Sequence, residues 1–233
     1  MTRHRPRISC VSDASDQGLV IQEDQSTTAE TRFVVIDVET TGLRPQESNI
    51  IEIAIVELDA FGNKVSEWSS LINPPGEGEL GATHIHGITR AMVAGAPAFS
   101  ALALEILDRL VDHIIVGHVI EFDLGHLESE FARVKIPLPN LGSVALCTRN
   151  LARRVLGVTP VTLENCCAQL GITIHGAHSA LGDTVATAEL FREMLVGVDE
   201  IELERLRENL TLLSWSRPMF ATQTSLARPR PLS

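Results

Sequence analysis

The amino-acid sequence predicts an α/β domain built on a mixed sheet, antiparallel on one side. Three observations carry this expectation. Phe33-Val34-Val35-Ile36 is an unbroken apolar run, as a strand buried on both faces requires. The stretch "IIEIAIVELDAFGNKVSEWSSLINP" holds two strand-like segments about an "FGN" turn, which makes an antiparallel hairpin. Beyond residue 98, segments of helical period alternate with a short apolar strand.

Along the chain, residues 1–31 are polar, with "DASDQ" and "EDQSTTAE", and are expected to be a disordered tail. The folded domain is expected over 32–198. Its first strand starts at Phe33, and the loop "TTGLRPQESN" follows. Ile51, Ile53, Ile55 and Leu58 mark the second strand, and Val65 to Ile72 the third. "NPPGEGELGATHIHGIT" is a Gly- and Pro-rich loop, and a helix runs from about Phe99 to Val111. "HIIVGH" is a short buried strand through Ile114, Ile115 and Val116, while "EFDLGHLESEFARV" spaces Phe122, Leu127 and Phe131 as a helix does. In "HSALGDTVATAELFREML" the positions Leu181, Val185, Ala188, Phe191 and Leu195 keep helical spacing, with Ser179 placed as N-cap. A last helix over 199–213, packed on or beside the domain, can start at Asp199. Glu202 would complete a capping box, and Leu203, Leu206, Leu210 and Leu213 form the apolar stripe. Residues 214–233 lose the period and are expected to be a flexible tail.

With 233 residues, 44% of them hydrophobic and 21% charged, the chain suits one domain with a real core plus flanking sequence. No stretch approaches the roughly 18 apolar residues of a bilayer span, and no apolar segment follows the basic "MTRHRPRISC", so a cytoplasmic protein without membrane contact is expected. Cys10, Cys147 and the adjacent Cys166 and Cys167 form neither a disulfide framework nor a CxxC zinc pattern. A formal net charge of -11 argues against broad electrostatic adhesion to long nucleic acid. It leaves room for a small site where metal ions supply the positive charge.

Asp37 and Glu39 raise that possibility. Two residues apart on a strand, they point to one face about 7 Å apart. Ionised carboxylates buried together need a cation, and no Lys or Arg lies between Arg32 and Arg44. Either the strand is at an edge and its acids are solvated, or a hard divalent cation such as Mg²⁺ or Mn²⁺ joins them. Asp123 follows the Gly117-His118 pair at the end of a strand, where α/β sites gather, yet alone it reads as an acid complementing a helix N-terminus. Asp183, in the first turns of its helix, and His178 just before it are equally unremarkable when taken separately.

Together, "VIDVETTGL", "VGHVIEFDLGHL" and "HSALGDTVATAELF" resemble, in order and spacing, the three motifs of the DEDDh-type 3′-to-5′ exonucleases. That family includes the proofreading (epsilon) subunit of bacterial DNA polymerase III, and "IHGIT", Ile85 to Thr89, resembles a substrate-side signature of this branch. The resemblance spans about residues 32–196. It implies an RNase H-like fold, a mixed five-stranded sheet flanked by helices with the acids converging at its centre. It implies Asp37, Glu39, Asp123 and Asp183 as catalytic acids that bind two Mg²⁺ or Mn²⁺ ions per site, with His178 as general base for the attacking water. The chemistry suits those residue types: phosphodiester hydrolysis needs an activated water and charge stabilisation on attacking and leaving oxygens, which two ions provide, and an imidazole accepts a proton near neutral pH.

On the substrate side the resemblance implies Thr40, Leu43, His86, His118 and Phe122. Leu43 corresponds to an apolar residue that wedges against terminal bases, and His86 to a histidine contacting the terminal nucleotide. His118 and Phe122 line the same pocket, although Phe122 serves equally as core. A zinc pair at His84 and His86 is disfavoured by the surrounding loop composition and the lack of a third ligand. His113, His126 and His175 read as surface or core filling. Two positions depart from the family pattern: Val119 stands where Asn is usual, removing an amide near the 3′ end, and Cys147 stands where Asp commonly precedes Thr. "QTSLA", Gln223 to Ala227, resembles the start of a sliding-clamp-binding peptide, with Arg228 in place of the aromatic end.

The expected function is therefore release of nucleoside monophosphates from DNA 3′ ends, single-stranded DNA foremost, in proofreading or repair, with a DNA polymerase or sliding clamp as partner through the C-terminal tail. Exoribonuclease trimming of RNA 3′ ends and an inactive polymerase- or nucleic-acid-binding module are the alternatives. Retention of all four acids and the histidine counts against the module. A two-carboxylate glycosidase leaves the metal-suited cluster unexplained.

Overall fold

The apolar run at Phe33 becomes the central strand of a five-stranded sheet. In the computed structural model, which describes residues 32–213, the strands are β1 (Phe33–Thr40), β2 (Ile50–Leu58), β3 (Lys64–Leu71), β4 (Ile114–Gly117) and β5 (Ala145–Cys147), in the spatial order β3-β2-β1-β4-β5. β1 pairs antiparallel with β2 and β2 with β3, whereas β4 runs parallel to both β1 and β5. The sheet is thus mixed, with its antiparallel half built from the hairpin. The expected tails at 1–31 and 214–233, and the "QTSLA" segment with them, lie outside the described residues.

The hairpin turn is set by local chemistry. Asp59 Oδ1 accepts hydrogen bonds from the backbone N–H groups of Phe61 and Asn63 at 2.9 and 2.8 Å, and Gly62 supplies a left-handed φ of 80°.

Because β1 is flanked on both edges, its two faces are buried in two separate cores. Val34, Ile36 and Val38 join one core, with α3 (Phe99–Leu110) and α4 (Ile120–Arg133) laid over it. Phe33 and Val35 join the other, beneath α5 (Thr148–Val155), α6 (Leu163–Leu170) and α7 (Ala180–Met194). One edge-to-face aromatic pair sits in each: Phe99 on Phe131, centroids 5.2 Å apart, and Phe33 on Phe191 at 4.9 Å. Each large apolar side chain fully buried this way contributes roughly 1.5–3 kcal/mol.

A short helix, α1 (Thr83–His86), lies in the Gly- and Pro-rich stretch read from sequence as a loop, and a second, α2 (Arg90–Val93), begins directly after it. The last helix, α8 (Glu200–Leu213), buries Leu203 and Leu206 in the second core, and Leu210 and Leu213 pack against the first. Asp199 Oδ1 accepts from the N–H of Ile201 at 2.8 Å, so it caps this helix. Glu202, expected to reach back as a capping box, instead pairs with Arg154 at 3.0 Å. Among the described residues no helix is long and apolar enough to cross a membrane.

Candidate active site

On β1 the face that carries Phe33 and Val35 continues with Asp37 and Glu39, so the strand delivers two carboxylates to the side of the sheet covered by α7. Asp183 enters from the first turn of α7. Ligand oxygens of Asp37, Glu39 and Asp183 all lie within 4.8 Å of one another, the one such group among the described residues.

The loop before α7 explains how this third acid is aimed. Ser179 Oγ caps the helix by accepting from Gly182 N–H at 3.1 Å. A side chain at Gly182 would strike the carbonyls of His175 and Gly176, so only glycine lets the 175–178 loop fold down on the helix start. His178 adopts a left-handed φ of 65° at the end of this loop, exposed beside the cluster, and its backbone N–H bonds the Asp183 carboxylate.

Glu52 is the acid that sequence reasoning missed. It lies directly across from Glu39 on β2, and its Oε2 accepts from the N–H of Ala180 at 3.0 Å, tying the first residue of α7 to the sheet. The signal was available in "IIEIAIVEL", where Glu52 and Glu57 are the two acids in an otherwise apolar strand.

The electrostatics show what this crowding does. Burial pushes the Asp37 carboxyl well above the usual range, and the charges of Asp123, Asp183, Glu39 and Glu52 push it further. Burial, then Asp183 and Glu52, raise Glu39 to about 7. Asp183 is also raised, chiefly by burial, although its bond from His178 N–H pulls the other way. Among the described residues no Lys or Arg ion pair reaches any of the three. A cluster of hard oxygen donors that is short of positive charge fits a divalent cation.

Asp123 takes a different position from the other three. It is 2% exposed on α4, and its Oδ1 accepts from Val38 N–H at 3.1 Å. Its nearness is felt by Asp37, and burial raises its own carboxyl. Val119, the departure from the family pattern, is the residue that starts α4, at φ 73° and ψ 46° with no side-chain cap. Asn tolerates that left-handed conformation and can cap, whereas a β-branched residue held there costs roughly 1–2 kcal/mol. The second departure is local as well: Cys147 packs against the first core, and Thr148 Oγ1 takes the Nδ1 of His118 at 3.0 Å while donating to Gly117 O at 3.2 Å.

The substrate-side residues divide. Leu43 is 84% exposed on the loop that leaves β1 at its acidic end. Phe122 is half-buried and packs against the first core. His118 is half-buried, with Nε2 lacking a partner of good geometry and its ring held below the ordinary imidazole pKa, first by burial. Thr40 is nearly buried and its hydroxyl donates to Gly42 O at 2.8 Å. His86 is 8% exposed with both ring nitrogens engaged, Nε2 with Leu80 O at 3.1 Å and Nδ1 accepting from Ile88 N–H at 3.0 Å. The structure thus places His86 as a pin for its own loop, and His84, two residues away, is exposed rather than paired with it.

A family model for RNase T, described as Exonuclease, matches residues 34–191, a span that contains every acid of this site. The chain belongs to this exonuclease family. The DNA polymerase III subunit epsilon of Aquifex aeolicus is 32% identical over 167 residues, covering 70% of this chain and 80% of that protein. A DNA polymerase III subunit epsilon-like protein from Rhodobacter capsulatus is 39% identical over 171 residues, covering 70% of this chain but 23% of the relative. Among solved structures, E. coli Exonuclease I in complex with a dT13 oligonucleotide has the same fold, with a TM-score of 0.64 at 21% identity over 74% of this chain and 42% of that one. The chain therefore spans less than half the length of two of these three proteins. Family, epsilon relatives and acidic cluster agree on 3′-to-5′ exonuclease chemistry.

Proposed function

We propose that the exonuclease releases nucleoside monophosphates from DNA 3′ ends, single-stranded or frayed, in cytoplasmic proofreading or repair. The observation that supports this best is the convergence of Asp37, Glu39 and Asp183 on one point from two elements far apart in sequence. In this reading those three acids and Asp123 hold two Mg²⁺ or Mn²⁺ ions. Such ions, when bound, stabilise charge on the attacking and leaving oxygens. The residues of the chain orient the scissile phosphodiester against the acidic face of β1. His178, exposed beside the cluster, accepts the proton of the attacking water as its oxygen bonds to phosphorus. The bond from phosphorus to the 3′ oxygen then breaks, and that oxygen leaves as the new 3′-hydroxyl of the shortened strand after taking a proton from solvent. Association with a polymerase or sliding clamp, through residues 214–233, completes the proposal. A peptide of residues 217–233 that fails to bind a clamp would remove that partner.

Digestion of matched, 5′-labelled DNA and RNA oligomers with Mg²⁺ tests the substrate class. DNA is expected to shorten from its 3′ end at least roughly tenfold faster than RNA, because discrimination rests on a pocket that must accept or reject one hydroxyl. Faster trimming of RNA would favour the exoribonuclease reading, and no trimming of either would return the chain to a binding module.

A further inference from the structure

α4 does more than deliver Asp123. One turn on, His126 is 1% exposed, and its two ring nitrogens face two backbone carbonyls: Nδ1 is 2.9 Å from Phe122 O and Nε2 is 3.1 Å from Gly42 O. Its ring also lies on that of Phe122, centroids 4.3 Å apart. Both partners are carbonyls, which only accept, so a neutral ring donates to one of them, and a bond to Gly42 is made by the tautomer with its proton on Nε2.

Gly42 immediately precedes Leu43, and the loop that carries them is held along its length. Thr40 Oγ1 donates to the same Gly42 carbonyl, and Gly81, at φ 74°, lies so close to the backbone of Thr41 that no side chain fits between them. Glu130 and Arg133, one and two turns beyond His126 on α4, bind Ile50 N–H at 3.0 Å and Pro45 O at 2.7 Å. A leucine 84% exposed on a backbone this restrained is a preorganised apolar surface rather than a flexible tip.

From this geometry we infer that His126 is a positioning residue for recognition of the 3′-terminal base, holding Leu43 through Gly42 and Phe122 through ring contact so that both present apolar surface to the face of that base. The inference rests on the exonuclease reading above. It assigns His126 no contact with the reacting atoms.

The test uses the full chain carrying His126→Leu and three substrates: an oligonucleotide with a normal 3′-terminal base, the same strand ending in an abasic nucleotide, and bis(p-nitrophenyl) phosphate, which has no base. The KM for the normal strand should rise about fivefold, the loss of one hydrogen bond, with kcat retained, while the abasic strand and the small diester are cleaved as by wild type. Adding His126→Leu to Leu43→Ala should raise KM by clearly less than His126→Leu does alone, since the histidine acts in part through the leucine, and His126→Gln, which keeps a long-reaching donor but not the ring on Phe122, should recover part of the KM. Should His126→Leu fail to fold, His126→Asn, too short to reach Gly42, is expected to show the same KM effect. An unchanged KM, equal losses on all three substrates, or additive effects with Leu43→Ala would overturn the inference. If wild type cleaves none of the three, the exonuclease reading itself falls, which is a separate outcome.

Discussion

Asp37→Asn should lower Mg²⁺-dependent release of mononucleotides by about a thousandfold or more, as expected when several kcal/mol of charge stabilisation at the reacting phosphate are removed. Asp37 is the acid pressed hardest by its neighbours, with burial and four other carboxylates all acting against its ionised form. The same crowding gives the prediction a second half. Without metal, the fold favours protonated carboxyls at this cluster, so it holds protons that the unfolded chain releases. Metal-free stability from these groups is fully present below the ordinary carboxylate range and is lost as pH rises through about 7, the value reached by Glu39. Asn removes one of the repelling charges, so the metal-free variant should melt above metal-free wild type at pH 8 and gain little from added Mg²⁺. Thermal melts with and without Mg²⁺, beside the activity assay, check both halves. Near-normal cleavage would contradict the role given to Asp37.

His178→Asn is expected to lower turnover by about 10²- to 10⁴-fold, the range for loss of a positioned general base, while leaving stabilisation by Mg²⁺ intact. Asn is the better replacement than Ala because residue 178 sits at a φ of 65°, which Asn tolerates. Its backbone N–H, which bonds Asp183, is also kept, so the metal-binding acid stays aimed. A variant that lost its response to metal would point to a ligand role instead.

The antiparallel half of the sheet was legible because Ile51, Ile53 and Ile55 and the "FGN" turn obey short-range rules, and β2 and its turn form where those rules put them. β5 was not: three residues, "ALC", carry no period, and only resemblance to known exonucleases called for a fifth strand. α1 formed inside a glycine-rich stretch because His86 satisfies Leu80 O and Ile88 N–H, contacts invisible to propensity. The site shows the same division. Asp37 and Glu39 share a face by strand period alone, whereas the approach of Asp183 depends on a helix packing across the sheet. Glu52 and His126 matter through partners 128 and 84 residues away, Ala180 and Gly42, a separation that no local pattern reports.

The central claim is that these acids, short of positive charge, are held together for divalent ions. Equilibrium Mn²⁺ binding to the full chain, followed by loss of the free-ion electron paramagnetic resonance signal at about pH 8 and about pH 5.5, tests it most directly. Two ions should bind at the higher pH and far more weakly at the lower, where protons occupy Glu39 and its neighbours, and Asp37→Asn should abolish the tighter binding. Absence of binding at pH 8, or binding indifferent to both pH and Asp37→Asn, would contradict the account.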